Sequence, residues 1–502
     1  MGETRKYIAF DIGASNGRCM IGKFDGEKLS LEVLHRFDNG YVRVRDHLFW
    51  NILSLWENCK ISLHKAAITL GGNIAAIGVD TMGNDFGLLD EFDELIGNPY
   101  HYRDPQTTGM MEEVFKIIPR EELFQITGLQ FMTINSLYHL VAMVRRGSAD
   151  LKIAKTFLMI PDLLNFWLTG RKGVEYTNAS IPQLMDCTRK QWAYPMLARL
   201  SIPQHIFPEI IQAGQVLEFL APSLRAETGL PDIPVIATAT HDTAAAIAAV
   251  PAMVKNFSYL SSGTWGLLGA EGSQPILTDK VLSYNFGNEG GVFNTIRLLR
   301  NIVNMWLIQD CQRIWALEGE GNSWDELIDL AKDARPFLAF IDPDEPGFLL
   351  PEKMPSQIQT YCKMTGQAVP QTKGEIVRVC LESLAFKYRY TFEKLTDILG
   401  YSPEVFHIVG GAARNHLLDQ FTANALARPV VAGPSEATTL GNLIVQMIGT
   451  GDLRDLVEGR RMLHDSFPTE SFYPQNTDVW EEQYIRFLHV TGLPPIFLNL
   501  SR

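Results

Sequence analysis

The sequence predicts an α/β fold made of two duplicated halves, and three observations carry that expectation. Near the start of the chain an apolar run enters and leaves a turn of small and polar residues. The same arrangement returns about 250 residues further on, a period far too long for a solenoid. After each copy, strand-like runs alternate with helical patterns, which calls for helices layered on a sheet.

In the first half, Tyr7-Ile8-Ala9-Phe10-Asp11 reads as a short buried strand. Ile12 to Gly17 reads as a tight turn, and Arg18 to Phe24 as the returning strand. Asp25-Gly26 turns the chain again, and Leu29 to Phe37 forms the next strand. Ile74 to Val79 is a third apolar run, ending at Asp80-Thr81-Met82-Gly83. In the second half, Phe257 to Leu260 leads into Ser261-Ser262-Gly263-Thr264 and out along Trp265 to Gly269. Val405 to Val409 is a strand ending at Gly410-Gly411, followed by a helical pattern from Asn415 to Ala427. Pro251 and the polar pair Lys255-Asn256 mark a boundary, so the expected domains are residues 1–250 and 251–502.

Composition narrows the function classes. With 57 acidic against 44 basic residues the formal charge is −13, which removes the basic face a nucleic-acid partner requires. The six cysteines contain no C-x-x-C pair, so zinc and dithiol redox patterns are excluded and a reducing compartment fits. Only Tyr7 to Phe10 follow the first charged residues as an apolar run, too short for the core of a signal peptide. The small-residue stretch Val235 to Val254 contains His241, Asp242 and Pro251, which a membrane helix tolerates poorly. A cytoplasmic protein without a membrane or nucleic-acid partner, monomeric or a small homo-oligomer, is expected.

The chemistry-bearing segments are the two turns and one helix start. In Asp11-Ile12-Gly13-Ala14-Ser15-Asn16-Gly17-Arg18, glycines let backbone N–H groups approach an oxyanion while Ser15, Asn16 and Arg18 add side-chain donors. Asp11, at the strand end, suits a Mg²⁺ approached through water. The same residues also fit an ordinary hairpin turn with a capped acid. Ser261 to Gly266 has the same character, and two such turns in matching positions suit one polyphosphate. No GxxxxGK[ST] segment occurs, and no GxGxxG follows a strand, so P-loop and Rossmann readings fall. Thr240-His241-Asp242-Thr243 precedes the run Ala244 to Ala249, a strong helix former, so Asp242 is either a helix-cap acid or a general base. At a helix N-terminus the carboxylate is favoured over the acid, which predicts a weak base at rest. His464-Asp465, the same dipeptide in a polar stretch, reads as solvated surface.

Taken together, these segments resemble the FGGY carbohydrate kinases over nearly the whole chain. The resemblance is carried by Asp11 to Arg18, Gly78 to Phe86, Glu175 to Ser180, Thr240 to Thr243 and Ser261 to Trp265, and by Asn301 to Gln309 and Pro434 to Asn442. It implies two actin-like (ribonuclease H-like) domains with an ATP and sugar cleft, the first binding sugar and the second nucleotide. It also implies transfer of the γ-phosphate of ATP to O1 of L-rhamnulose, with Mg²⁺ as cofactor. By position, Ala14, Ser15, Asn16, Gly17 and Arg18 line the ATP phosphates. Gly83, His241, Asp242, Thr243 and Asn301 contact the sugar, and Asp242 accepts the proton. Thr264, Gln309 and Gly411 complete the nucleotide site, and Asp11 lies near the metal. The chain departs from the family pattern at Met82 and Asn84, where Trp and Val are usual, and at Gln106 in place of a second Arg. It departs again at Ala412, in place of a glycine, and at Gly266, in place of a serine. The other expectations are a kinase for L-fuculose, L-ribulose or D-xylulose and, from another class, a sensor that binds sugar and nucleotide without turnover.

Overall fold

A computed structural model describes residues 4–349 and 351–498. The chain divides into two compact units. The first comprises Met1–Pro251, Glu271–Leu298 and Ala437–Phe467; the second comprises Ala252–Ala270, Leu299–Glu436 and Pro468–Arg502.

In the first unit the strand Arg5–Ile12 forms a hairpin with Asn16–Phe24, setting Asp11 opposite Arg18. Asn16–Phe24 pairs in turn with Leu29–Asp38. On its other edge Arg5–Ile12 runs parallel to Ala76–Thr81, with Asp11 beside Asp80. Pro234–Ile236 adds a second parallel strand and Val216–Phe219 closes the sheet antiparallel. Every residue of Ala76–Thr81 is buried, the condition of a parallel strand covered on both faces. One covering helix is Ala437–Gly449, whose Leu440, Leu443, Ile444 and Met447 are wholly buried. Its Gln446 donates to the Ile8 carbonyl at 3.0 Å.

The second unit repeats the plan. Phe257–Ser262 pairs antiparallel with Trp265–Gly272 and parallel with Val405–Val409. Val405–Val409 then runs parallel to Val430–Ala432, and Glu470–Phe472 closes antiparallel. Its longest helix, Lys373–Leu399, starts at a capping box of Thr372 and Glu375 and ends at Gly400, whose φ of 74° suits a residue without Cβ. The duplication read from the two turns is thus a duplication of sheet order.

The shorter elements follow the sequence reading closely. The alanine run forms the helix Asp242–Ala248, and the pattern after Gly411 forms His416–Leu426. His464 and Asp465 are exposed, in the last turn of the helix Leu456–Ser466. All six cysteines are free and buried. Among the described residues no helix is long and apolar enough to cross a membrane.

Candidate active site

The site is assembled at the strand ends of the first unit. Glu175, fully buried, is its anchor: its carboxylate accepts from the Thr177 N–H and hydroxyl and from the Thr240 N–H and hydroxyl, all within 2.5–3.0 Å. The His241 N–H donates to the Thr177 hydroxyl at 3.2 Å, and the Thr240 carbonyl accepts from Thr81 at 2.9 Å. These bonds hold the turn Thr240-His241 against the end of Ala76–Thr81 before Asp242 opens its helix.

Asp242 accepts from the Thr243 N–H at 2.6 Å and the Thr243 hydroxyl at 3.1 Å, and its side chain is 31% exposed. Its pKa is pushed up to about 7, first by burial and then by the negative charge of Asp11. The expectation that the helix N-terminus holds Asp242 as a weak base is therefore corrected. Desolvation and a like charge both favour the protonated acid, and together they outweigh a short helix's dipole.

Asp11 in turn is fully engaged on one oxygen. Its Oδ2 accepts from Arg18 Nε at 3.0 Å and Nη2 at 2.7 Å, and from the Thr439 hydroxyl at 2.8 Å. Asp80, beside it in register, is wholly buried and accepts from Asn442 at 2.6 Å, while its other oxygen has no partner among the described residues. Burial and the adjacent Asp11 raise the Asp80 pKa well above the carboxylate range. Three carboxylates of one unit thus share a neighbourhood, countered by Arg18 and the amide of Asn442.

His241 lies 3.5 Å from Asp242 through Nε2, and its Nδ1 accepts from Arg297 Nη2 at 3.1 Å. Arg297 is buried, donates from Nε to the Gly290 carbonyl at 2.9 Å and stands 3.0 Å from the Glu289 carboxylate. Burial and this cation depress the His241 pKa well below its usual value. Gly83 is where the sequence reading set a sugar contact. A Cβ there would overlap Ile181 Cδ1 and approach the His241 ring to 3.1 Å, so only glycine leaves the imidazole edge open.

The phosphate-loop candidates form a turn in which the Gly13 N–H donates to the Asn16 carbonyl at 2.9 Å. Asn39 clamps it from outside, donating to the Gly13 carbonyl at 2.7 Å. Ala14 is half-buried, and Ser15 and Asn16 are exposed. Gly17 is required because a Cβ would run into the Phe37 ring.

In the second unit the Thr264 hydroxyl donates to Gln309 Oε1 at 3.1 Å, bringing two of the predicted nucleotide residues together. Gly410, at φ 91°, passes so close to Ser262 that a Cβ would stand 2.9 Å from its carbonyl oxygen, and Gly411 beside it faces open space. Asn301 lies in the strand Ile296–Val303 of this region.

Two departures from the family pattern acquire local reasons. Asn84 sits at φ 72°, a left-handed backbone that Asn tolerates and β-branched Val does not. A side chain at Gly266 would meet Asn304 at 3.2 Å, where Asn304 is already committed to Ser262 and Gly263. Gln106 donates from Nε2 to His139 Nδ1 at 3.1 Å and accepts from Arg146 at 2.7 Å.

The residues that sequence reasoning passed over are Glu175, Arg297, Glu289, Thr439 and Asn442. Glu175, Thr439 and Asn442 fell inside matched segments without a role, and nothing in the sequence around Glu289 and Arg297 signals one. Among the described residues no group of three or more His, Cys, Asp or Glu side chains is arranged to hold a metal ion.

A site of this kind, with a carboxyl poised near neutrality beside a neutral imidazole, suits proton removal from a hydroxyl. The N-terminal domain pattern of the FGGY family of carbohydrate kinases matches residues 6–248, and its C-terminal domain pattern matches residues 258–450. The chain belongs to the FGGY family of carbohydrate kinases and is a sugar kinase. Among its relatives, a rhamnulokinase of Bacteroides thetaiotaomicron is 41% identical over 483 residues, spanning 96% of this chain and 99% of that protein. A rhamnulokinase of Oceanobacillus iheyensis is 39% identical, over 92% and 96% of the two chains. The fold is also that of a xylulose kinase from Rhodospirillum rubrum (TM-score 0.79, 18% identity, 97% and 98% of the two chains). A Plasmodium falciparum glycerol kinase crystallised with ADP shares it too (TM-score 0.78, 16% identity, 99% and 100%).

Proposed function

We propose that the chain phosphorylates L-rhamnulose at O1 with ATP, in the breakdown of rhamnose. Near-full-length identity to rhamnulokinases supports the substrate, and the Asp242 carboxyl beside the open edge of His241 is the observation that carries the chemistry. In this reading the O1–H proton passes to Asp242 as the O1–phosphorus bond forms and the bond from the γ-phosphorus to the β,γ-bridging oxygen breaks, releasing ADP. The loose transition state of phosphoryl transfer needs a correctly held hydroxyl more than an early strong base. His241 Nε2, Gly83, Thr243 and Asn301 hold the ketose, and Asp242 takes the proton late.

Ala14, Ser15, Asn16, Gly17 and Arg18 are assigned to the ATP phosphates, and Thr264, Gln309 and Gly411 to the rest of the nucleotide. The first domain is thereby assigned most of the sugar contacts and the loop for the ATP phosphates, and the second Asn301 and the rest of the nucleotide. Asp11 is the residue assigned to Mg²⁺. Asp11, whose Oδ2 already accepts from Arg18 and Thr439, would hold the ion through water. Bound with ATP, Mg²⁺ supplies neutralisation of the phosphate charge. A cytoplasmic protein, monomeric or a small homo-oligomer, is the accompanying assignment, in keeping with its six free cysteines.

A panel of ketoses assayed by coupled ADP release tests the reading. The expected outcome is the highest kcat/KM with L-rhamnulose. Preference for L-fuculose, L-ribulose or D-xylulose overturns the substrate and points to Met82, Asn84 and Gln106 as the altered wall. Binding of ATP and sugar without ADP release identifies a sensor instead.

A further inference from the structure

We propose that Arg297, braced by Glu289 and the Gly290 carbonyl, is a positioning residue that locks His241 in the Nε2–H form and so makes it an obligate hydrogen-bond donor to the sugar. The inference rests on the sugar-kinase reading of the site and adds residues from a segment, 287–297, that the sequence did not mark.

A guanidinium offers only donors and does not deprotonate in proteins. Its Nη2 lies 3.1 Å from His241 Nδ1, so that nitrogen must present a lone pair and the ring proton must sit on Nε2. Protonating Nδ1 would set donor against donor beside a fixed cation, in a place where Arg297 is 1% and His241 7% exposed. Arg297 cannot swing away, because its Nε is bonded to the Gly290 carbonyl and its charge is paired with Glu289. Gly290 is itself fixed by the Ser180 hydroxyl at 2.7 Å, and a Cβ at that position would meet both Ser180 and Tyr176.

On the Nε2 side the ring has no hydrogen-bond partner among the described residues. Asp242 Oδ1 stands 3.5 Å from Nε2, beyond a good hydrogen bond, and Gly83 contributes no side chain there. The charged groups around the imidazole are Asp242 on its own turn, Glu289 and Arg297 from the segment opposite, and Glu175 behind Thr240. Of these only Arg297 touches Nδ1 within hydrogen-bond distance. An uncontrolled histidine would spend part of its time as the other tautomer or as a cation near neutral pH. A locked one meets each sugar with the same donor.

The test uses the full chain with ¹⁵N-labelled histidine, its His241 signal assigned by the His241→Gln variant, and long-range imidazole NMR across pH 5.5 to 8. The expected result is an Nε2–H tautomer that does not titrate over this range. An Nδ1–H tautomer, or titration close to the free-histidine value of about 6.5, overturns the proposal. In Arg297→Met the same signal is expected to show the Nδ1–H tautomer populated beside Nε2–H, because the donor that held Nδ1 as an acceptor is gone. At pH 8, where Asp242 is ionised, that variant should raise the sugar KM about 10- to 100-fold while kcat and the ATP KM change less than about 3-fold. Equal losses in every constant mark a purely structural role and overturn it. Should Arg297→Met not fold, the wild-type spectrum decides alone. A locked histidine in a protein that phosphorylates no ketose upholds the hold of Arg297 on His241 and overturns the kinase reading instead.

Discussion

Asp242 illustrates how a neighbourhood, more than a residue type, sets a base. Burial and Asp11 lift its pKa to about 7, so below that pH the free enzyme holds it protonated and unable to accept the O1 proton. The kcat/KM for sugar is expected to rise about tenfold per pH unit up to about 7 and then level, measured as a pH–rate profile. Asp242→Asn should lower kcat by ~10²–10⁴ with the circular dichroism spectrum unchanged, the range of a lost general base. Stability carries the opposite sign. The folded-state pKa of Asp242 stands above the unfolded value of about 3.9, so its contribution is whole below about pH 4 and is lost as pH rises through about 7. Asp242→Asn, which cannot ionise, should therefore melt higher than the parent at pH 8, with the difference shrinking at pH 5. A variant that melts lower at pH 8 than at pH 5, relative to the parent, would contradict this.

At the scale of elements, the helix Asp242–Ala248 is aimed by contact with Ala437–Gly449. Gly441 lets the two backbones touch: a Cβ there would overlap the Ala245 carbonyl oxygen, which is main chain and has nowhere to go. Gly441→Ala should destabilise the fold by about 1–3 kcal/mol in urea titration, the usual cost of forced overpacking, and tilt Asp242 enough to lower kcat. Gly83→Ala meets a movable Ile181 methyl and the edge of His241, so it should raise the sugar KM and leave stability nearly intact. What could be read beforehand follows the same division. The strand–turn–strand copies, the alanine helix and the His241-Asp242 pair lie in short contiguous segments whose period, glycines and hydroxyls speak for themselves. Arg297, Asn442 and Thr439 do their work across gaps of 56 residues (Arg297 to His241), 362 (Asn442 to Asp80) and 428 (Thr439 to Asp11), and Asp242's elevated pKa is a product of that same convergence. No local pattern encodes which buried side chain will face which strand end.

For the molecule as a whole, the first unit is not continuous in sequence. It needs Ala437–Phe467, whose first helix supplies six wholly buried apolar side chains and the partners of Asp11, Asp80 and Ile8. Residues 1–251 expressed alone should therefore lack a cooperative thermal transition, with exposed apolar surface detectable by dye binding, whereas the full chain should unfold cooperatively. A cooperative transition from the fragment would show that the helix is dispensable to the unit.

The late return of residues 437–467 also orders events at the ribosome. After Pro251 has been synthesised, another 186 residues must be added before Ala437 exists, about 10–40 s at ~5–20 residues per second. Throughout that interval the nascent first sheet carries an uncovered greasy face and a buried-to-be Asp80 with no amide to meet it. Slower translation of the intervening stretch therefore lengthens the period in which that face stays exposed.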